Sequence, residues 1–355
     1  MLAVDNIYAG DCIELMESGQ VPQADLIFAD PPFNIGYKYD VYEDRKAYED
    51  YYAWTERWMA ACRQTLKPTG SFWIAIGDEY AAEVKIIGDR LGLHLRNWVI
   101  WHYTFGQNTK SKFARSHTHL FYFVKDRRRF TFNDAAVRVL SDRQKEYGDR
   151  RANAAGKVPD DVWTEFPRVC GTFSQREGWH PCQMPEMVLA RIIRACSEPG
   201  DLVFDPFAGS GTTLVVAKKL NRRYFGTDIS EDYVQEIHQR LRRAKPLSRV
   251  RGEGETRWPQ DHKDELRALY QEGRLATDKL RENPVALQGL VQQLNNRLMA
   301  TWDEIDGYTV NEVWIQLERL RKAGKLGKIR VHATELSGPP IQKLDPALFD
   351  EQRSN

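Results

Sequence analysis

At 355 residues the chain is long enough for a mixed domain of ordinary size plus one or two smaller appendages. Its 42% hydrophobic, 28% charged and 11% aromatic content is that of a soluble globular protein and excludes a disordered one. No apolar run approaches bilayer length and MLAVDNIYAGDCIELM carries no export pattern, so a cytoplasmic protein is expected. The five cysteines form no CxxC pair, which argues against a zinc site or a disulfide framework, and no metal is expected. A formal net charge of +1 hides a strong asymmetry. Residues 1–107 carry nine Lys and Arg against sixteen Asp and Glu, whereas residues 108–157 carry thirteen against five. A basic block of that size fits a surface facing a polyanion, with a solvated charged face as the plain alternative.

In chain order, short β-rich runs alternate with amphipathic stretches through residue 245, the pattern of an α/β protein with a largely parallel sheet flanked by helices. Strands are expected at 25–30, 71–76, 97–101, 120–124, 201–205 and 224–228. Helices are expected at about 48–66, 79–91, 185–196, 212–220 and 231–243. Residues 126–178 are basic and polar without a sustained period, and read as an inserted, loop-rich segment. From Lys245-Pro246 a linker rich in Pro, Gly and charge, about 246–261, leads into helical sequence that reaches about residue 323. A small, mainly helical C-terminal domain over 262–355 is expected. Within it, residues 309–324 read as a turn and an amphipathic helix closed by Gly324, and 328–332 as a strand. That is the order of a recognition helix and wing, with a helical packing or dimerisation element as the equal alternative.

Two strings carry chemistry. Asp205-Pro-Phe-Ala-Gly-Ser-Gly-Thr-Thr213 lies where a strand ends and a helix begins, and its glycines at 209 and 211 let backbone approach a ligand. Asp228 ends the next strand, where a carboxylate can accept hydrogen bonds from a ribose. Together they describe a site for an adenosine-containing cofactor. No Gly-Lys-Ser/Thr follows, so this is not a phosphate-binding loop. In the second string, Asp25-Leu-Ile-Phe-Ala-Asp-Pro-Pro-Phe-Asn34, a strand runs into Asp30 and two prolines. Pro31 and Pro32 fix φ and supply no donors, leaving carbonyls free to face a site. A carboxylate beside a preset carbonyl is an acceptor pair whose natural complement is an NH2 group, and Phe33 adds a flat face for a planar base. A rigid turn is the bland reading of Asp-Pro-Pro alone.

These residues resemble the DNA amino-methyltransferases that modify adenine N6 or cytosine N4. The cofactor motif of that family is similar to 205–213 and its Asp-Pro-Pro-aromatic tetrad to 30–33. The order is that of the permuted beta group, in which the catalytic half comes first. Gly10-Asp11-Cys12 resembles the motif that meets the cofactor adenine. His180-Pro-Cys-Gln-Met-Pro-Glu186 resembles a His-Pro-x-Gln-x-Pro-Glu stretch near the methionine moiety, and Lys112-Phe-Ala-Arg-Ser-His117 resembles the stretch lining the flipped base and DNA backbone. The family often has Thr and Lys where this chain has Cys182 and Met184.

The resemblance implies a Rossmann-like methyltransferase sheet, with the catalytic half at 1–125, target recognition at 126–178 and the cofactor half at 179–245. It implies S-adenosylmethionine as cofactor, held by Asp11, Cys12, His180, Gln183, Asp205, Phe207, Gly209, Gly211, Thr212 and Asp228. Asp30, Pro31, Pro32 and Phe33 are the implied catalytic set. Lys110, Lys112, Arg115, His117, Arg143, Lys145, Arg150 and Arg151 are the implied DNA contacts. Double-stranded DNA is the implied partner, with a second copy of the chain and a cognate restriction endonuclease as further candidates. The Asp that opens the tetrad favours adenine N6 over cytosine N4. A non-catalytic nucleic-acid binder with this fold is the competing class, and an RNA or small-molecule methyltransferase a lesser one.

Overall fold

The computed structural model describes residues 1–103, 109–139, 157–169, 176–244, 258, 260–272, 276–301, 308 and 310–327. The chain divides into two compact units, Met1–Arg257 with Asn295–Tyr308, and Trp258–Leu294 with Thr309–Asn355. Among the described residues no helix is long and apolar enough to cross a membrane.

The first unit is built on an eight-stranded sheet: β1 (Asn6–Ala9), β2 (Ala24–Ala29), β3 (Leu66–Ile76), β4 (His94–His102), β5 (His117–Val124), β6 (Val162–Trp163), β7 (Leu202–Asp205) and β8 (Arg223–Asp228). The strand order is β1-β8-β7-β2-β3-β5-β4-β6. The run β1, β8, β7, β2, β3 is parallel throughout, as is β4 with β6, whereas β5 is antiparallel to β3 and β4. The sheet is therefore largely parallel, as its apolar strands imply.

Along β2 the side chains alternate between two cores. Leu26 and Phe28 join a cluster with Val188, Leu189 and Ile192 of α5 (Glu186–Cys196), Leu214 of α6 (Thr212–Lys219) and Ile237 of α7 (Glu231–Arg243). Ile27 and Ala29 face the other cluster, made with Ile13 of α1 (Cys12–Glu17), Trp58 and Met59 of α2 (Tyr48–Thr65), and Val84 and Ile87 of α3 (Ala81–Arg90). Helices thus cover both faces.

β1 and β6 have no counterpart among the expected strands. Each is very short, and Ile7 is the only core residue of β1. The segment read as irregular over 126–178 also holds α4 (Asp134–Val137) and β6. Val137, Trp163 and Phe166 from it are buried in the first cluster, and the Trp101 indole donates to the Phe166 carbonyl at 2.8 Å. Isolated aromatics anchor a loop without producing a period, so pattern reading overlooks them.

The second unit contains α8 (Gln260–Glu272), α9 (Thr277–Glu282), α10 (Pro284–Thr301, whose last residues count with the first unit) and α11 (Val310–Lys322). It buries Leu266, Leu269, Leu280, Leu287, Leu294, Val313 and Leu317. Gly324 takes φ +68°, and the Lys325 N–H bonds the Leu320 carbonyl at 2.8 Å, closing α11 as its glycine implied. The expected strand at 328–332 lies outside the described residues.

Trp58 has no solvent exposure and meets Phe72 and Phe207 edge-on at centroid distances of 6.2 and 5.3 Å. Its indole nitrogen has no hydrogen-bond partner. Trp58→Ala is expected to cost about 3–5 kcal/mol of stability in urea unfolding. Trp58→Phe should cost distinctly less, because the lost N–H was satisfied by nothing.

Candidate active site

Parallel strands deliver their C-terminal ends to one edge of the sheet. β2 leads to β3 on one side and β7 to β8 on the other, so the loops leaving β2 and β7 part company and open a crevice. A cavity of about 630 Å³ lies there, lined by Gly10, Asp11 and Cys12 after β1, Asp30 to Phe33 after β2, Asp205 to Ser210 after β7, and Asp228 to Ser230 after β8. Every implied cofactor and catalytic residue lines it except Gly211, whose neighbours Ser210 and Thr212 do.

The turn after β2 is held by residues that the sequence reading missed. Asp44, 2% exposed, accepts from the backbone of Asn34 (2.7 Å), Ile35 (3.1 Å) and Tyr37 (2.9 Å). Asn34 takes the left-handed conformation, φ +57°, and its amide donates to the Tyr80 hydroxyl at 2.8 Å. The Tyr51 hydroxyl donates to the Pro32 carbonyl at 2.7 Å. No such bond to the Pro31 carbonyl occurs among the described residues, so the buried Pro31 keeps its acceptor. Phe33 lies beside Gly77 at the end of β3, where a Cβ would sit 3.3 Å from its ring. Asp44 reads in sequence as one more acid in a polar run. No local pattern marks it as the residue that ties the loop together.

On the other wall, Asp228 accepts from the backbone of Gly209 (2.7 Å) and Ser230 (2.9 Å), joining the glycine turn to β8. Gly209 has φ +50°, and a Cβ there would lie 2.9 Å from His180 Nε2. His180 is thus packed against the turn rather than free in solvent, and its Nδ1 accepts the Cys182 N–H at 3.3 Å. Burial brings His180 down to about 4, so it is neutral at ordinary pH. Gln183 accepts the Glu177 N–H at 2.9 Å.

Arg240 of α7, also missed, is buried. It donates to the Ser210 carbonyl (2.9 Å) and Thr212 Oγ1 (2.8 Å), and pairs with Glu177 and Glu186 at 3.1 Å each. Its signal was available, because Arg240 falls on the same helix face as Val234, Ile237 and Leu241. Asp11 Oδ1 caps α1, accepting from Ile13 at 2.7 Å and Glu14 at 3.3 Å.

The floor is acidic. Burial and the neighbouring Asp205 push Asp30 up to about 7, partly opposed by the Arg168 guanidinium. Burial likewise raises Asp205 to about 7, and raises Asp228 to about 6 against the hydrogen bonds it accepts. Lys112, Arg115 and Arg168 also line the cavity, as does Glu79. Arg168, which the sequence reading passed over, lies against the Tyr103 ring at 5.6 Å. Of the expected DNA contacts, Lys110 and Lys112 are exposed, while Arg115 is already paired with Asp78 (2.8 Å) and Glu79 (3.0 Å). His117 lines the cavity, and Arg143, Lys145, Arg150 and Arg151 lie outside the described residues.

These residues fit an adenosine-bearing sulfonium. The glycine turn leaves room for close backbone approach, Asp228 faces the cavity beside it, and three buried carboxylates favour a positive charge.

Residues 24–239 match the family model described as DNA methylase. The type II methyltransferase M.HpaI of Haemophilus parainfluenzae is 34% identical over 236 residues, 66% of this chain and 73% of that protein. The DNA adenine methyltransferase YhdJ of Escherichia coli strain K12 is 34% identical over 243 residues, 66% of this chain and 82% of that one. Among solved structures, the cytosine-N4-specific PvuII DNA methyltransferase superposes with a TM-score of 0.52 at 22% identity, covering 70% of this chain and 88% of that one, a likeness of fold.

The raised carboxyls give a pH dependence whose sign is fixed. Protonated below their folded values of about 6 to 7, they become anions as pH rises, and a cation in the cavity favours the anions. Affinity for S-adenosylmethionine should therefore rise roughly tenfold between pH 5.5 and 7.5 in calorimetric titration. The uncharged thioether S-adenosylhomocysteine should gain distinctly less. Equal gains for both would show that these carboxylates do not face the sulfonium.

Proposed function

The chain belongs to the DNA methylase family, and on that premise we propose that it methylates the exocyclic N6 amine of adenine in double-stranded DNA, with Asp30 and the Pro31 carbonyl as the groups that receive the amine. It is an S-adenosylmethionine-dependent methyltransferase. The observation that supports the proposed site is the shared cavity, which Asp30, Pro31, Phe33, the glycine turn and Asp228 all line. Adenine is favoured by the Asp that opens the tetrad and by the adenine methyltransferase named among the relatives.

When bound, S-adenosylmethionine supplies an electrophilic methyl group on a sulfonium. The chain's residues supply everything else. The glycine turn, Asp228 and Asp11 hold the adenosine, and His180 braces the turn. An aromatic amine is a weak nucleophile because its lone pair is delocalised into the ring. Asp30 and the Pro31 carbonyl accept its two N–H bonds, turn the lone pair out of the ring plane and stabilise the positive charge that develops on nitrogen. With its acidity near neutrality, Asp30 is also a nearby acceptor for the proton that nitrogen sheds. Phe33 stacks on the extruded base and offsets part of the few kcal/mol that extrusion costs.

Lys110, Lys112, Arg143, Lys145, Arg150 and Arg151 anchor phosphates, residues 126–178 read sequence, and the helical C-terminal unit adds DNA contact or self-association. A cytoplasmic enzyme acting on genomic DNA, paired with a cognate endonuclease, completes the reading.

Digestion of DNA methylated by the protein, with mass analysis of its nucleosides, is expected to yield N6-methyladenine; N4-methylcytosine as sole product overturns the base assignment. Asp30→Ala should lower turnover by roughly a hundred- to a thousandfold with cofactor binding largely kept, whereas Asp228→Ala should weaken cofactor binding first. An Asp30→Ala enzyme with most of its turnover would remove that residue from the chemistry.

A further inference from the structure

Phe113 is 99% exposed, far more than any other large apolar side chain of the described residues except Met1; the next, Val41, is 59% exposed. It contributes nothing to either core, and water gains nothing from its company. Its position is specific. It belongs to the segment between β4 and β5, of which Thr109, Lys112, Arg115 and His117 line the cavity. Two residues beyond Phe113, Arg115 is pinned to Asp78 and Glu79, and these directly follow Gly77, the residue beside the Phe33 ring. The root of the segment is therefore fixed at the wall where the base is to stack. Phe113 does not line that cavity and stands in solvent, in the chain between Lys112 and Arg115, which do line it.

A duplex that has surrendered one base to such a cavity holds a gap with two unstacked base faces, bordered by phosphates. An apolar ring carried beside the exposed cation Lys112 is suited to fill it. Resting on the proposed function above, we infer that Phe113 is the wedge that enters the helix as the target base leaves. The flipped base stacks on Phe33 inside the cavity, and Phe113 replaces it in the helix.

The test uses two duplexes bearing a site found methylated in DNA from cells that express the full chain. One is fully paired, and the other carries an abasic residue opposite the target, which lowers the cost of extrusion. Phe113→Ala is expected to reduce kcat/KM on the paired duplex by about tenfold or more, and on the abasic duplex by less than about threefold. Phe113→Leu, which keeps an apolar wedge, should stay close to the wild type on both. An equal loss on both duplexes, as a phosphate-side contact or a self-association surface would give, overturns the wedge, and so does no loss at all. If the wild-type chain methylates no DNA, the methyl-transfer reading falls with it, which separates the two failures.

Discussion

One main-chain pairing decides whether there is a site. β2 lies parallel to β7 with Leu26 opposite Val203 and Ile27 opposite Phe204, and only in that register do the turns after Asp30 and Asp205 meet at one edge. A slip of one residue would send Leu26 and Phe28 to the wrong core. Asp25 secures the register from the opposite end of the strand. It accepts the Leu202 N–H at 2.9 Å and pairs with Lys67 at 2.8 Å, stitching β2 to β7 and β3 at once. Two halves of the chain far apart in sequence are thus welded into a single crevice. Their order along the chain is immaterial to the chemistry, because the edge of the sheet is the same in either order.

Charge is arranged in depth. The lining gathers Asp30, Asp205 and Asp228, all pushed toward neutrality by burial, while its exposed cations are Lys112 and Arg168. A polyanion is drawn to the mouth and a cation to the interior, so the two reactants are sorted before they meet. Grouping buried carboxylates is costly for the fold and is offset locally, through the backbone N–H groups of Gly209 and Ser230 on Asp228 and through Arg168 near Asp30. Arg240 does the corresponding work behind the glycine turn. Its guanidinium is satisfied on every side by Glu177, Glu186, Ser210 and Thr212, which is the condition under which a buried charge stabilises rather than disrupts.

Much of this was legible in the sequence because it is written locally. Asp30 to Phe33 and Asp205 to Thr213 are contiguous strings at strand ends, and the long helices and apolar strands announce themselves by period. What escaped is what acts across distance. Asp44 shapes the loop after Phe33 from ten residues on, Tyr51 selects which proline carbonyl stays free, and Arg168 reaches the cavity from a segment without period. β6 and β1 escaped for a different reason, since β6 has only two residues and β1 buries only Ile7 of its four, which is too little apolar pattern to rise above a loop. Arg115 shows the opposite failing. A basic residue in a basic stretch invites a phosphate, yet here it is spent on Asp78 and Glu79.

The central claim is that one cavity serves both the cofactor and the base, with Asp228 on one wall and Asp30 on the other. A crystal structure of the full chain with S-adenosylhomocysteine tests it most directly. The ribose is expected against Asp228 and the glycine turn, with the sulfur directed toward Asp30 and the Pro31 carbonyl. A ligand seated away from Asp228, or with its sulfur turned from Asp30, would contradict it.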